Sequence, residues 1–430
     1  MTDRVSSCDV LIIGGGPAGL AAAVAARASA ARVAIVDDNP GLGGQIWRGE
    51  ERTPTTPEAT EWLRRVRAAG VEFISGARIY DQPADGLLLA ETDGGGVIAL
   101  DYGKLILAAG ARERFLPFPG WTLPGVAGAG GLQALVKGGL PIEGRRVVVA
   151  GTGPLLLAVA AYLRKRGARV LLIAEQAPRE KLLAFGLGLW RSPGKILQAI
   201  GLKRQLAGVP LRMGCWPVAA GGDDRLQRVR LRQGDRAWDV ECDYLACGFH
   251  LLPNTELAVH LGCAVRDGAV QVDELQQTTR PGIYCAGEST GIGGLDVSLI
   301  EGQIAGFAAT DQPGKARALF AEHARQQRFA DLLNQTFVLR EELRSLPTAN
   351  TLVCRCEDIS FARLRDQPSW RAAKLHTRCG MGPCQGRICG GAIEFLLGWP
   401  AESVRPPVFP VKVGSLLFDH GERRGEDATR

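Results

Sequence analysis

Long uninterrupted apolar runs are missing from this sequence. None reaches the roughly 18 residues that a membrane-spanning helix needs. Charge of one sign is also scarce, because 51 Lys and Arg residues face 45 Asp and Glu residues and the net charge of +6 is scattered along the chain. The sequence therefore predicts neither a transmembrane segment nor a nucleic-acid-binding surface.

A disulfide framework is absent as well. Cysteines such as Cys8, Cys215 and Cys263 stand apart from the others, and isolated thiols of this kind fit a reducing compartment. We therefore expect a cytoplasmic protein. With 430 residues, of which 46% are hydrophobic and 22% charged, the chain has enough material for two or three globular domains.

The start of the chain has the pattern of a dinucleotide site. An apolar strand at 10–13 leads into Gly14, Gly16 and Gly19, which form GxGxxG, and an Ala-rich helix then leads to a strand that ends at Asp37. Glycines allow a tight turn and a close approach to a pyrophosphate, while a carboxylate can accept from ribose hydroxyls. The order of strand, glycines, helix, strand and acid favours a dinucleotide site over a ligand-free turn.

The same pattern returns 137 residues later. A strand at 147–150 is followed by Gly151 and Gly153, a helix and a strand ending at Glu175, but Leu156 stands where the third glycine would be. A side chain there crowds both the helix–strand contact and a dinucleotide. The sequence predicts a second Rossmann fold and leaves open whether it binds NAD, a different ligand or none.

Two such units, the second inserted in the first, resemble the flavoproteins with two dinucleotide-binding domains. Supporting segments are GLGGQIW at 41–47, LILAAGARER at 105–114 and GIYCAGESTGIGG at 282–294, where Glu288 replaces the usual Asp. The resemblance implies an α/β fold with two Rossmann-like domains and bound FAD. The implied FAD-binding residues are Gly14, Gly15, Gly16, Ala18, Gly19, Asp37, Gly44, Gln45, Ala109, Gly110, Gly287 and Glu288.

Disulfide reductases of this fold carry a redox CxxC or CxxxxC, and no CxxC occurs in this chain. Cys242 and Cys247 have the CxxxxC spacing, but they straddle a predicted strand and are expected to be core or surface thiols. His250 and His260 are candidate bases near a flavin, although a lone histidine is more often structural. No catalytic residue is assigned.

The C-terminal part concentrates five of the 11 cysteines within 36 residues: Cys354, Cys356, Cys379, Cys384 and Cys389. Thiols at metal-ligand spacing in a reducing compartment indicate a metal centre. Zinc sites usually have CxxC knuckles, which neither pair here provides, so the spacing favours iron. Zinc and unliganded thiols remain alternatives.

The ligands predicted for this centre are Cys354, Cys356, Cys379 and Cys384. Pro383 is expected to begin a helix. On such a helix Cys389 would lie five residues beyond Cys384, about 140° away from its face. Cys389 is therefore predicted to be the spare thiol. The whole module resembles the bacterioferritin-associated-ferredoxin-like [2Fe-2S] domain.

Nearly end to end, the chain resembles the alpha subunits of heteromeric amino-acid dehydrogenases, a family with opine oxidases, proline and hydroxyproline dehydrogenases and hydrogen cyanide synthase. CRCED, TRCGMGPCQGRICG and RPPVFPV carry this resemblance. It implies an electron-transfer subunit, with the amino or imino acid oxidised on a separate flavoprotein beta subunit. Further implications are a small ferredoxin-like third subunit, FMN or a second nucleotide at the partner interface, and peripheral attachment to the inner membrane through the complex.

Three domains are expected: a FAD-binding domain at 1–118 and 248–346, an inserted NAD-binding-like domain at 119–247, and an iron-sulfur domain with a polar tail at 347–430. Two alternatives remain. One is a self-contained NAD(P)H-dependent ferredoxin-type reductase, which Leu156 disfavours. The other is a scaffold subunit that keeps the fold and holds zinc.

Overall fold

The computed structural model describes residues 4–191, 193–400 and 404–418, so the predicted polar tail from 419 onward lies outside the described residues. Its first segment alternates strands and helices as the glycine pattern predicts. The elements are β1 (Arg4–Ile13), α1 (Pro17–Ala26), β2 (Val33–Asp37), α2 (Pro57–Ala68), β3 (Glu72–Ser75), β4 (Ala77–Ala84), β5 (Leu87–Thr92), β6 (Val97–Leu107) and β7 (Ala111–Glu113).

A second segment repeats the strand–helix alternation and ends in a meander. The elements are β8 (Val126–Gly128), α3 (Ala129–Lys137), β9 (Arg146–Thr152), α4 (Leu155–Lys165), β10 (Arg169–Glu175), α5 (Arg179–Gly188), α6 (Pro193–Gln205), β11 (Leu211–Met213), β12 (Cys215–Gly221), β13 (Arg228–Gln233), β14 (Arg236–Glu241) and β15 (Tyr244–Phe249).

The chain then returns to the first unit and finishes in a small module. The returning elements are β16 (Leu251–Pro253), α7 (Glu256–His260), β17 (Val265–Arg266), β18 (Ala269–Val270), β19 (Ile283–Cys285), α8 (Leu295–Ala309), α9 (Pro313–Arg317) and α10 (Phe320–Thr336). The module contains β20 (Leu352–Cys354), β21 (Ile359–Ser360), α11 (Phe361–Arg365), α12 (Trp370–Thr377), α13 (Cys389–Leu397) and α14 (Val413–Leu416).

Sheet topology confirms the predicted α/β fold with two Rossmann-like units. The first sheet has the order β3-β2-β1-β6-β5-β4 with β19 also pairing β6, and the second has the order β11-β10-β9-β15-β8. Strands β1, β2, β3, β6 and β19 are parallel neighbours, as are β8, β9, β10, β11 and β15. Both glycine loops therefore lie at the carboxyl ends of parallel strands, where such sheets bind ligands.

Six of the ten residues of helix α1 are Ala, and small residues let helix α8 pack closely against it. A Cβ added to Gly302 would lie 2.2 Å from the Ala18 carbonyl oxygen, and one added to Gly306 would lie 2.3 Å from the Ala22 oxygen. Close packing of this kind fixes the start of α1 and, with it, the preceding glycine loop.

The two units are joined by a two-stranded antiparallel crossover, β7 paired with β16, and the C-terminal module packs against it. Leu252 pairs with Arg112 in the crossover, and a Cβ on Gly391 of α13 would lie 2.2 Å from Leu252 Cδ1. Trp121 Nε1 of the second unit donates to the Leu352 carbonyl at 2.6 Å. The module is thus held at the junction of the two nucleotide-type units.

Beyond α13 the chain crosses back to the first sheet. Val408 N–H donates to the Tyr80 carbonyl at 2.8 Å, and the Tyr80 hydroxyl donates to the Ser415 carbonyl at 2.8 Å. No helix among the described residues combines the length and the apolar composition that crossing a membrane would take.

Candidate cofactor sites

The first glycine loop is shaped by contacts that a side chain would destroy. A Cβ on Gly14, whose φ is +109°, would lie 2.2 Å from the Ala108 oxygen, and a Cβ on Gly19 would lie 1.9 Å from the Gly14 oxygen. Gly16 differs, since a Cβ there would meet only the Gly44 Cα, at 3.9 Å. The open space at Gly16, at the N-terminus of α1, is where the pyrophosphate of a dinucleotide could approach the backbone.

Asp37, at the end of β2, is buried and holds the loop together. Its Oδ2 accepts from the Gly15 N–H at 2.5 Å, while its Oδ1 accepts from the backbone and side-chain nitrogens of Asn39 at 2.8 and 2.7 Å. The carboxylate therefore fixes the glycine loop, and its role on a ribose stays a prediction.

The GLGGQIW segment lies directly on the glycine loop. Gly43 N–H donates to the Gly15 carbonyl at 2.7 Å, and a Cβ on Gly44 would lie 2.9 Å from the Gly16 Cα. Gln45 is exposed and Trp47 is buried beneath the segment. The structure thus brings Gly44 to the loop, while Gln45 makes no buried contact with it.

Ala109 and Gly110 follow β6 and meet the returning chain. Asn254 Nδ2 donates to the Ala109 carbonyl at 2.9 Å, and the Ser289 hydroxyl donates to the Gly110 carbonyl at 3.1 Å. Asn254 was missed in the sequence because it lies outside every recognised motif. It ties the end of β6 to the segment just after the crossover.

Glu288 lies in a short 3-10 turn, Gly287–Ser289. Its Oε1 accepts from the Gly294 N–H at 2.8 Å, whereas its Oε2 is buried with no hydrogen-bond partner. Burial raises the pKa of Glu288 from 4.5 to about 7. An unpartnered buried carboxylate oxygen is costly. Together with the open space at Gly16, it fits a polar ligand such as FAD.

This burial predicts a pH dependence of stability in the ligand-free protein. The folded state keeps a proton on Glu288 that the unfolded chain loses, so this contribution is fully present below about pH 4.5 and is lost as the pH rises through about 7. We expect Glu288→Gln to raise the melting temperature more at pH 8 than at pH 5, measured by calorimetry on FAD-free protein.

A matched control is Glu61→Gln on α2, because two arginines lower the pKa of this exposed carboxyl to about 2. Its effect on the melting temperature should not change between pH 5 and pH 8. An equal effect of Glu288→Gln at both pH values would contradict the assignment.

The second glycine loop repeats the first in part. Glu175 Oε1 accepts from the Thr152 hydroxyl at 2.8 Å and Oε2 accepts from the Gly153 N–H at 2.7 Å, although burial raises the pKa of Glu175 to about 7. Leu156 is only 1% exposed and packs in the core between α4 and the sheet. Nucleotide binding by this unit stays an open prediction.

The two thiols with CxxxxC spacing are buried, and a role of His250 or His260 as a base stays a prediction. Cys242 and Cys247 were predicted to be either core or surface thiols. Both are fully buried, so they are core thiols. His250 has φ of +77° in the chain return, and burial lowers its pKa. His260 Nε2 lies 3.2 Å from Asp81 Oδ1.

The five C-terminal cysteines form one cluster. The Sγ atoms of Cys354, Cys379 and Cys389 all lie within 4.8 Å of one another, and all three residues are buried. Cys356 is exposed and Cys384 is half-buried, and both line one cavity together with Cys354 and Cys389. The cluster therefore has an inner group of three thiols and an outer pair.

The predicted helix beginning at Pro383 is wrong. Helix α13 begins at Cys389, and the preceding residues form turns in which Gln385 and Gly386 have φ of +50° and +80°. Positive φ values interrupt a right-handed helix. The prediction that Cys389 points away from the other thiols is consequently wrong as well, because its Sγ belongs to the inner group.

The electrostatics of the inner group favour a thiolate at Cys354. Hydrogen bonds from the Cys379 and Cys389 thiols, with further ones from the Gly380 and Glu357 backbone, lower the pKa of Cys354. A thiolate is the form that binds metals. Gly382 allows the close approach, since a Cβ there would lie 2.4 Å from Cys356 Cβ.

The outer side of the cluster opens into a cavity of about 540 Å³. Phe115 and Trp121 line this cavity together with Cys356, Cys384 and Ile388. The two aromatic rings lie 5.0 Å apart. The cavity gives the thiols an apolar and partly enclosed surrounding next to the inserted unit.

Comparison with known proteins assigns the class. Residues 8–302 match the family described as pyridine nucleotide-disulphide oxidoreductase. The match spans more than half of the chain, which therefore belongs to this family of oxidoreductases.

Two curated relatives and one solved structure match nearly the whole chain. An opine oxidase subunit from Agrobacterium tumefaciens (strain Ach5) is 31% identical, over 96% of this chain and 92% of its own length. Hydrogen cyanide synthase subunit HcnB of Pseudomonas protegens is 31% identical, over 90% of this chain and 91% of its own. A crystal structure of L-proline dehydrogenase from P. horikoshii shares the fold, with a TM-score of 0.67, 19% identity, and coverage of 97% and 81%.

Proposed function

We propose that this chain is the electron-transfer subunit of a heteromeric dehydrogenase that oxidises an amino or imino acid of the hydroxyproline, proline, opine or glycine type. The substrate is oxidised on a partner flavoprotein subunit. This chain holds FAD in its first unit and a [2Fe-2S] cluster in its C-terminal module. The names of the two curated relatives, both subunits, support a role within a complex.

The observation that carries the proposal is the thiol cluster at the junction of the two nucleotide-type units. The five cysteines lie on the module that contacts the crossover: Arg112 Nε, in β7, donates to the Arg387 carbonyl at 3.1 Å. Nucleotide binding by the two Rossmann-like units does not require a group of thiols at this position. A redox centre at this position lies close to the FAD-binding unit of the same chain. It would pass electrons between this chain and the partner subunits.

FAD would be held by the first glycine loop. Gly16 leaves room for the pyrophosphate at the N-terminus of α1, and the buried Glu288 Oε2 is available to accept from a ligand hydroxyl. The predicted contacts at Gly44, Ala109, Gly110 and Gly287 line the same carboxyl-terminal edge of the first sheet.

The proposed ligands of the iron-sulfur cluster are Cys354, Cys356, Cys379 and Cys384. When bound, the two cofactors would convert a two-electron supply into single electrons. The chain's own residues bury the inner thiols and leave Cys356 exposed toward the cavity. The buried surroundings keep water away from the inner thiols.

Exposed apolar side chains on α5 and α6 are also explained by a partner protein. Leu187 and Leu197 are 78% and 72% exposed, and Leu183 is 57% exposed. Leu183 and Leu187 lie four residues apart on α5 and so share one face, and exposed apolar patches are typical of protein–protein contacts. The proposed complex also includes a small ferredoxin-like third subunit. FMN or a second nucleotide is proposed at the interface between this chain and its partner.

The alternative is a self-contained NAD(P)H-dependent ferredoxin-type reductase. In the second unit Glu175 accepts from the Gly153 N–H, as Asp37 accepts from the Gly15 N–H in the first unit. This repeated contact favours the alternative. The buried Leu156 at the third glycine position is against it. Bleaching of the flavin by NADH in the isolated chain would favour the alternative.

We expect the isolated chain to oxidise no amino acid at a useful rate, and the complex purified with its native partners to do so. The proposed function places substrate oxidation on the partner subunit. The measurement is dye reduction by the isolated chain and by the complex, screened against proline, hydroxyproline, opines and glycine. Robust oxidation by the isolated chain would overturn its proposed place in a complex.

A further inference from the structure

Arg112, in the crossover strand β7, contacts two segments of the chain that lie far apart in sequence. Its Nε–H donates to the Arg387 carbonyl at 3.1 Å, and its Nη1 donates to Asn254 Oδ1 at 2.8 Å. The same Nη1 lies 2.9 Å from Glu256 Oε1, and the Arg112 side chain is only 27% exposed. One half-buried guanidinium therefore joins the chain after the crossover to the C-terminal module.

On one side, these contacts lead to the end of β6. Asn254 Nδ2 donates to the Ala109 carbonyl at 2.9 Å, and the Asn254 N–H donates to the Gly110 carbonyl at 3.0 Å. Ala109 and Gly110 are predicted FAD contacts at the carboxyl edge of the first sheet. Asn254 thus links the proposed FAD site directly to the Arg112 guanidinium.

On the other side, the contacts lead to the cysteine loop, which we define as residues 384–389. Arg387, whose carbonyl accepts from Arg112, lies inside this loop. The loop is closed by two backbone hydrogen bonds, from the Arg387 N–H to the Cys384 carbonyl at 3.0 Å and from the Gly390 N–H to the Gly386 carbonyl at 2.6 Å. Opening of the loop breaks these bonds and exposes the two amides to exchange with water.

The shape of the guanidinium suits this position. An arginine carries five N–H donors in fixed directions, whereas a lysine carries one nitrogen on a flexible stem. Here Nε points at the loop carbonyl, while Nη1 points at Asn254 and Glu256. A lysine would keep the positive charge beside Glu256 without the two separately directed donors.

We propose that Arg112 is a positioning residue that couples the FAD site to the cysteine loop, so that the loop opens less often when FAD is bound. This inference rests on the FAD site proposed above and requires no metal in the loop. With FAD bound, segment 109–110 is held in place, and Asn254 and Arg112 pass this restraint to the Arg387 carbonyl. Coupling between two sites is reciprocal, so a closed loop also strengthens FAD binding.

The test is amide hydrogen exchange of the loop in the full chain, compared between FAD-free and FAD-loaded protein from one preparation. In the wild type, FAD should slow the exchange of peptides covering 384–390 by at least about fivefold, the lower end of typical coupling between two sites. Arg112→Met and Arg112→Lys should both lose this slowing at saturating FAD. Flavin absorbance confirms the loading of each protein, and circular dichroism confirms its fold.

Asn254→Ala breaks the link only on the FAD side, and it decides the matter if the Arg112 variants are unstable. Without FAD, its loop should exchange as in the wild type, because Arg112 still contacts Arg387. With FAD, the slowing should be lost, a pattern that a general loss of stability does not produce. The matched control is Arg64→Met, which removes an exposed ion pair with Glu61 on α2 and should respond to FAD as the wild type does.

The outcomes separate the coupling from the proposed function. A wild type that binds FAD without slower exchange in the loop would overturn the coupling and leave the proposed function standing. Slowing that persists in Asn254→Ala or in Arg112→Lys would also overturn the coupling. A wild type that binds no FAD would overturn the proposed FAD site, and the coupling with it.

Discussion

Gly16→Val is expected to give a folded protein that has lost FAD. Gly16 has φ of −76°, which valine can adopt, and a Cβ there meets no atom closer than 3.9 Å. The branched side chain would instead occupy the space proposed for the pyrophosphate. We expect bound FAD to fall at least about tenfold, equivalent to ~1.4 kcal/mol of binding free energy, measured by flavin absorbance after gel filtration.

The control is Gly186→Val on α5, where an added Cβ also meets nothing within 4 Å. This variant should retain wild-type FAD. Circular dichroism and the melting temperature check that both proteins are folded. Wild-type FAD content in Gly16→Val would show that the loop does not bind the pyrophosphate.

Cys354→Ser is expected to remove iron from the C-terminal module. Cys354 belongs to the inner thiol group, and hydrogen bonds from the other two inner thiols lower its pKa. Serine replaces a soft thiolate with a hard and weakly acidic hydroxyl. Iron content should fall about tenfold or more, and the paramagnetic signal of the reduced protein should disappear.

The matched control is Cys263→Ser in the first unit. Cys263 is a buried thiol whose Sγ lies 3.4 Å from the Thr278 hydroxyl, with no part in the cysteine cluster. It should keep its iron, and both variants should keep FAD because the flavin loop lies in a different unit. Zinc in place of iron in anaerobically prepared wild type would contradict the assignment.

The Rossmann-like units could be predicted because their determinants are local. Gly19 is required by a backbone contact with Gly14 within the turn, and Asp37 closes the turn through the Gly15 N–H. Such contacts depend on residues close in sequence, so the spacing of a few residues is sufficient to indicate them. The inserted unit followed from the same pattern at Gly151 and Gly153.

The thiol cluster was predictable in composition but not in arrangement. Helix α13 starts at Cys389 because Gln385 and Gly386 take positive φ values, and Gly386 packs against Trp370 from α12. That contact joins residues far apart in the module, so helical periodicity from Pro383 could not reveal it. Gly386 was the one sequence signal that could have marked the interruption.

The position of the module was also beyond sequence reasoning. It depends on single contacts between distant segments, such as Trp121 with Leu352 and Gly391 with Leu252. Neither pair has a motif of its own. The contact of Val408 with Tyr80 in the first sheet is of the same kind.

The most direct test of the central claim is electron paramagnetic resonance of the complex after anaerobic addition of its substrate. If this chain relays electrons from the partner, the signal of a reduced iron-sulfur cluster should appear in the wild-type complex and be absent with Cys354→Ser. Dye reduction by the Cys354→Ser complex should fail in parallel. Full substrate-dependent dye reduction with Cys354→Ser, in a complex that has lost its iron, would contradict the claim.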